Sequence, residues 1–333
     1  MTTKVILSVD TEFSIAGAFV DPINNKPVGL QAVLCEKDGL SHGLGFILET
    51  LTQYDMRATF FVEALNTSYF GYDPMGQIAR GIMDRGQDVQ LHLHPCWQYF
   101  KNQYWQEELK RSPPNDDITR RSCQEIESIL LEGLDTFSKW GLPKPKAIRT
   151  GSLMVNKNVY KAMGLVGINI SSNVGVGIFR PVEKELELYS GMHEIENCYE
   201  LPVLTYCDIN VISKKHLKTL TITGSSWEEI EFLLRAAFRK QLDYMVILTH
   251  PSEFVKRKND QYTDIHPNNI NKARFVKLCQ FLQSNKNMFT VMTFSDLQVT
   301  DNKKVPDTLL HVHPFYALKR LVENYANDRI QSY

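Results

Sequence analysis

Gly86-Gln87-Asp88-Val89-Gln90-Leu91-His92-Leu93-His94-Pro95 places two histidines one residue apart at the end of an apolar run. If the run is a strand, its side chains alternate faces, so His92 and His94 point the same way. Two imidazoles on one face make half of a metal site, whereas the plainer reading is a polar strand end. The rest of the chain favours the metal site, because carboxylates, an arginine and a third histidine also stand where strands end.

Apolar runs alternate with amphipathic stretches on both sides of this segment. Strands are expected at Lys4 to Val9, Arg57 to Val62, up to His92, Lys146 to Arg149, Val166 to Ser171, Tyr199 to Ile209, Tyr244 to Thr249 and Met288 to Phe294. Helical spacing covers Leu44 to Tyr54, Pro74 to Arg85, Asp116 to Trp140, Asn156 to Met163, Ser225 or Ser226 to Gln241, and Asn268 to Ser284. Repeated strand–helix units with nearly continuous apolar strands predict a parallel sheet covered by helices, and seven or eight such strands favour a barrel over an open sheet. Two segments break the rhythm. Gln98 to Asn115 is aromatic and charged, and reads as a loop overhanging a site. The chain after Thr300 begins polar and ends amphipathic from Pro314 to Tyr325, which predicts a helical extension over 301–333 outside a barrel spanning 1–300.

The chain has 333 residues, 43 % of them hydrophobic, enough for a large core. Lys plus Arg number 37 against 38 Asp plus Glu, which argues against nucleic acid as the main partner. No apolar run is long enough to span a bilayer. The N-terminal apolar stretch is short and runs straight into acidic residues, unlike a signal peptide. The six cysteines form no CxxC pair, so reduced thiols and a cytoplasmic location are expected.

In a parallel barrel, active-site residues collect where strands pass into loops. Asp10 and Glu12 follow the first strand, His92 and His94 the third, Arg149 the fourth, and His250 a late strand that exits through Pro251. Gly151 lets backbone approach closely just after Arg149. This layer offers a carboxylate and two imidazoles to a metal, with a second carboxylate, an arginine and a third imidazole beside them. A hydrolytic zinc site has such ligands and keeps a position for water, which suits cleavage of an amide or ester by a carboxylate base and an imidazole acid. Serine catalysis has little support, since no G-x-S-x-G elbow is present.

Ser8-Val9-Asp10-Thr11-Glu12, Arg57 to Glu63, Asp88 to His94, Arg149-Thr150-Gly151, Ile247 to Pro251 and Thr293 to Leu297 resemble, in order and spacing, the motifs of the polysaccharide deacetylase superfamily, the group with the NodB-homology domain. The resemblance runs from Lys4 to about Leu297. It implies an α/β fold, a distorted (β/α) barrel of seven to eight strands. It also implies catalytic roles for Asp10 (base), Arg149 (orienting the base) and His250 (acid), with Glu12, His92 and His94 as metal ligands. The metal would be Zn2+, with Fe, Co or Mn as alternatives. Three features depart from the family pattern: the second histidine stands two rather than four residues after the first, where Cys96 would be the fourth; Glu replaces the more usual Asp; and the arginine motif lacks its proline. His-Leu-His-Pro followed by Trp97 resembles deacetylase-like proteins of bacterial surface-polysaccharide gene sets.

The expected activity is therefore metal-dependent removal of an acetyl or other small acyl group from an amino sugar, carried as a small molecule or linked to a lipid or nucleotide. Trp97 and Gly151 are expected to touch substrate, with Tyr99, Tyr104 and Trp105 as further stacking faces. Two alternatives are hydrolysis of a non-sugar cyclic amide, and a catalytically inactive sugar-binding barrel.

Overall fold

The computed structural model describes residues 2–211, 214–298 and 307–330; of the expected C-terminal extension, residues 301–306 and 331–333 lie outside these. Among the described residues, eight parallel strands build the main sheet: β1 Thr3–Thr11, β2 Thr59–Glu63, β3 Asp88–Leu93, β4 Ala147–Thr150, β5 Ile170–Ser171, β6 Cys198–Glu200, β7 Tyr244–Thr249 and β8 Phe289–Val291. Their order is β7-β1-β2-β3-β4-β5-β6, with β8 on the first residues of β1 and an antiparallel strand, His193–Ile195, on β6. The sheet curls until the chain beyond β6 meets β7 again through an isolated Val203–Val246 bridge. The result is the expected distorted α/β barrel, closed by bridges rather than by a full ladder.

Period-two alternation divides the strand residues into two cores. Val5, Leu7, Val9, Phe60, Val62, Leu91, Leu93, Ile148, Met245 and Ile247 pack outward against the helices. Ile6, Phe61, Ala147, Ile170, Val246 and Leu248 fill the interior. The interior parity continues along the same strands to Asp10, His92, Arg149 and His250, so an apolar floor supports a polar layer at the C-terminal ends.

Several boundaries differ from the sequence reading. The helix expected from Asp116 begins at Cys123, because Ser122 and Glu125 form a capping box there. Residues 116–122 therefore stay outside the helix, and Asp116 is available to the site. The strand expected from Val166 shrinks to β5, since Gly167 turns the chain out of the preceding helix at a φ of 69°. The extended run from Tyr199 splits at Pro202, and Thr205–Val211 joins a separate sheet with Lys214–Thr219 and Leu310–His311. The helix Pro314–Ile330 packs on the body through Arg320, which pairs with buried Asp208 and Glu229. No helix among the described residues is long and apolar enough to cross a membrane.

Candidate metal centre and catalytic groups

Asp10 ends the interior face of β1, and Arg149 ends that of β4. The Arg149 side chain is fully buried and four of its five N–H donors are directed: Nη1 to Asp10 Oδ1 at 2.7 Å and Ser8 Oγ at 2.9 Å, Nε to the Ser172 carbonyl at 2.9 Å, and Nη2 to Ser172 Oγ at 2.7 Å. The guanidinium also lies over the Phe61 ring, 4.3 Å from its centroid. A fork so fully engaged holds one Asp10 oxygen fixed and leaves the other, Oδ2, facing His250 Nε2 at 3.9 Å.

Glu12, His92 and His94 come together at the mouth of the barrel. Glu12 Oε2 lies 3.3 Å from His92 Nε2 and 2.8 Å from His94 Nε2, and the three donor atoms lie within 4.8 Å of one another. The Nδ1–H of His92 donates to the Arg149 carbonyl at 2.8 Å, and that of His94 to Asp116 Oδ2 at 2.6 Å. With both Nδ1 atoms serving as donors, each Nε2 carries its lone pair toward the Glu12 carboxylate. Lone pairs gathered this closely require a shared cation, either a proton or a metal ion. The electrostatics agree. Burial opposes charge on both groups, yet His94 is held well above the ordinary histidine range by Glu12 and Asp116, and Glu12 well below the carboxylate range by the two imidazoles. Two imidazoles and one carboxylate converging with fixed tautomers fit a divalent metal of the zinc type.

The histidine spacing puts His94 in the Glu12–His92–His94 group, and the thiol at position 96 lies elsewhere. Cys96 groups with His94 and Asp116 on the outer side, and burial pushes its thiol up to about 12.

His250 faces the Glu12–His92–His94 group from the end of β7. Its Nδ1–H donates to Glu253 Oε1 at 2.9 Å. Burial disfavours the imidazolium, but Glu253, Asp10 and Glu12 outweigh it and raise His250 to about 9. Gly151 passes against the His94 ring so closely that a Cβ there would lie 2.4 Å from its Cε1 and Nδ1. The turn that follows puts Ser152 and Leu153 at φ of 53° and 54°, a left-handed pair that is costly for L-residues. Thr150 fixes this turn by donating from Oγ1 to the Met154 carbonyl at 2.7 Å and from its backbone to Asn173 Oδ1 at 2.9 Å.

Trp97 departs from expectation. It is 1 % exposed and packs against Phe70 and Phe100, because Pro95–Lys101 forms a short 3-10 helix that turns the indole inward. It lines the cavity bounded by Glu12, His94 and Asp116, where it is almost wholly covered and presents no exposed stacking face. Of the other aromatic candidates, Tyr104 is exposed, while Trp105 joins the cluster through Phe100 and Phe19.

Asp116, Glu253 and Glu63 were not singled out from the sequence. Glu63 is fully buried at the end of β2 and accepts backbone N–H groups of Leu65, Asn66 and His94, which pins the histidine's backbone. The signal for it was present: an acidic residue ending the Ala58-Thr59-Phe60-Phe61-Val62 run has the strand parity of the other site residues. Asp116 had no such signal, since its role depends on where a long loop returns.

In chain order, the strand ends of this curled sheet carry an acid pair, a histidine pair, an arginine and a lone histidine. The fold is a curled α/β barrel of mostly parallel strands with these groups at its C-terminal ends. No protein-family model matches the sequence, and no curated protein matches it. Comparison with solved structures finds distant likenesses. A protein assigned as a polysaccharide deacetylase from Mycobacterium smegmatis is 13 % identical, with a TM-score of 0.48 and 87 % of each chain covered. A family 4 carbohydrate esterase from Streptomyces lividans, solved with acetate, is 15 % identical, with a TM-score of 0.42 and 87 % of this chain and 92 % of the other covered. A CE4 family pseudoenzyme from Bacillus anthracis is 14 % identical, with a TM-score of 0.43 and 94 % of this chain and 70 % of the other covered.

Proposed function

We propose that this chain is a metal-dependent hydrolase that removes an N-acetyl or other small acyl group from an amino sugar or sugar conjugate, in the cytoplasm and in surface-polysaccharide biosynthesis. The observation that supports it best is the convergence of Glu12, His92 and His94 beside the Asp10–Arg149 pair, with His250 opposite.

Glu12, His92 and His94 would hold the ion, which when bound activates water and polarises the acyl oxygen. Asp10, oriented by Arg149, takes the proton as the water attacks the acyl carbon. His250, protonated and braced by Glu253, gives its proton to the amine as the C–N bond breaks. Asp10 then returns its proton to solvent and His250 regains one. Leu153, Ile178 and Leu248 line the cavity of about 210 Å³ that contains these groups, and their apolar surface suits a small acyl chain. The described barrel is the proposed catalytic unit, and the helix Pro314–Ile330 belongs to the proposed C-terminal extension.

The test is elemental analysis of protein purified without chelator, beside a His92→Ala/His94→Ala variant, followed by assay of acetate release from N-acetylated sugar precursors. Near-stoichiometric metal lost in the variant, with metal-dependent acetate release, is expected. Wild-type protein that stays metal-free after incubation with zinc, iron, cobalt or manganese would overturn the reading in favour of a non-catalytic barrel.

A further inference from the structure

Glu12 and His94 form a partition between two cavities. One is the cavity of about 210 Å³ that holds Asp10 and His250. The other, of about 350 Å³, lies on the opposite side, where Ser14, Ser252, Arg257 and Tyr262 face Asp116. The smaller takes an acyl group, and the larger is the place left for the rest of a sugar conjugate.

We propose that the larger cavity is a subsite for an anionic substituent of the substrate, a carboxylate or a phosphoryl group, received by Arg257. This rests on the deacetylase reading above. Hydroxyls alone would serve a neutral sugar, but this wall also carries a guanidinium, which is suited to planar or multi-oxygen anions. Among the lining residues Arg257 brings the permanent positive charge, whereas of the acidic residues Asp116 already accepts from His94 and Glu12 is directed at the two imidazoles.

The arginine is held in place. Val255–Arg257 pairs antiparallel with Ile265–Pro267, so Arg257 ends a hairpin strand. Its Nη1 donates to the Tyr262 hydroxyl at 2.5 Å, and its guanidinium lies 4.9 Å from the centre of that ring. Gln261 ties the hairpin turn to the segment after β1 by donating from Nε2 to the Ala16 carbonyl at 2.8 Å and the Lys26 carbonyl at 3.1 Å. The nearby carboxylate is a weak competitor: Asp260 Oδ1 is 3.4 Å from Nη2, with its side chain 59 % exposed. The remaining guanidinium donors are thus available to a ligand.

The experiment compares kcat/KM for three N-acetylated amino sugars: a neutral one, one bearing a ring carboxylate, and one linked to a nucleoside diphosphate. It uses the metal-loaded wild type, Arg257→Ala and Arg257→Lys, with metal content measured for each. Wild type should prefer at least one anionic sugar by roughly tenfold or more, the size of a charge-assisted contact. Arg257→Ala should lose that preference and Arg257→Lys should keep part of it. The favoured arm tells a sugar acid from a nucleotide phosphate. Equal use of all three sugars by wild type, or a preference unchanged in Arg257→Ala, overturns the subsite. If none is hydrolysed, the deacetylase reading fails separately. Saturation-transfer NMR binding of the same sugars then decides the subsite: anion binding that needs Arg257 upholds it, and binding indifferent to Arg257 overturns it.

Discussion

Asp116 Oδ2 accepts the Nδ1–H of His94 at 2.6 Å, while Asp116 Oδ1 accepts the backbone N–H of Cys96 at 3.0 Å. One carboxylate therefore fixes the tautomer of a proposed ligand and ties the aromatic loop to it. Outer partners of this kind typically change metal affinity by about 10–100-fold when removed. Asp116→Ala is expected to weaken metal binding within that range, as read by competition with a chelator, without loss of the fold by circular dichroism. Unchanged affinity would reduce Asp116 to a loop anchor.

Gly151 tests the same ligand from the other side. A Cβ at 2.4 Å from the His94 ring cannot be accommodated by a small shift, because Asp116 holds the ring and Glu63 holds its backbone N–H. Gly151→Ala should displace His94 and lower metal affinity by about tenfold or more. Gly164→Ala is the control: its Cβ would meet nothing within 4 Å, and it lies in the helix Lys157–Leu165. That change should leave metal content intact and stabilise the protein by up to about 1 kcal/mol.

Glu253 sets the protonation of His250. Because the folded value is raised to about 9, the acid form is present below that pH and is lost as pH rises through it. The alkaline limb of kcat/KM should therefore lie at or below about pH 9, the bound cation offsetting the contribution of Glu12. Glu253→Gln removes the nearest negative charge and should move this limb to lower pH, toward the ordinary histidine value of about 6.5. The loss should be larger at pH 8 than at pH 6. A limb that stays in place would remove His250 from the role of acid. The linkage to folding has the same sign: the stability this group contributes is fully present below its unfolded value and disappears through about 9.

Arg320 joins the last helix to the body. It is buried between Asp208, at 2.7 Å, and Glu229, whose other oxygen caps the helix Trp227–Arg239 by accepting the Ser226 N–H at 2.8 Å. Arg320→Ala would leave buried Glu229 without its arginine and buried Asp208 with His216 alone, at a cost of about 3–5 kcal/mol. The urea midpoint should fall accordingly, and Arg320→Lys should recover part of it. A midpoint within error of wild type would show that the helix docks by its apolar contacts alone.

The barrel and its site layer were legible because both depend on short-range periodicity. Alternation along β1, β3, β4 and β7 aims Asp10, His92, Arg149 and His250 into one interior, and a residue's parity can be counted without knowing its neighbours. The His92–His94 spacing likewise requires a shared face. Asp116, Glu253 and Arg257 were not legible as parts of the site. They lie on a loop, a short 3-10 helix and a hairpin, elements too short or irregular for a period to relate sequence position to direction, so placement follows from long-range packing. Trp97 shows the reverse case: it stands three residues after His94, yet burial against Phe70 and Phe100 outweighs display of the exposed stacking face expected of it. Local sequence pattern thus sets the order of chemistry along the strands, from acids to histidines to arginine to histidine. Long-range packing alone sets which tautomers the candidate ligands hold, which carboxylates brace the site and which cavities flank it, because those depend on contacts between segments far apart in the chain.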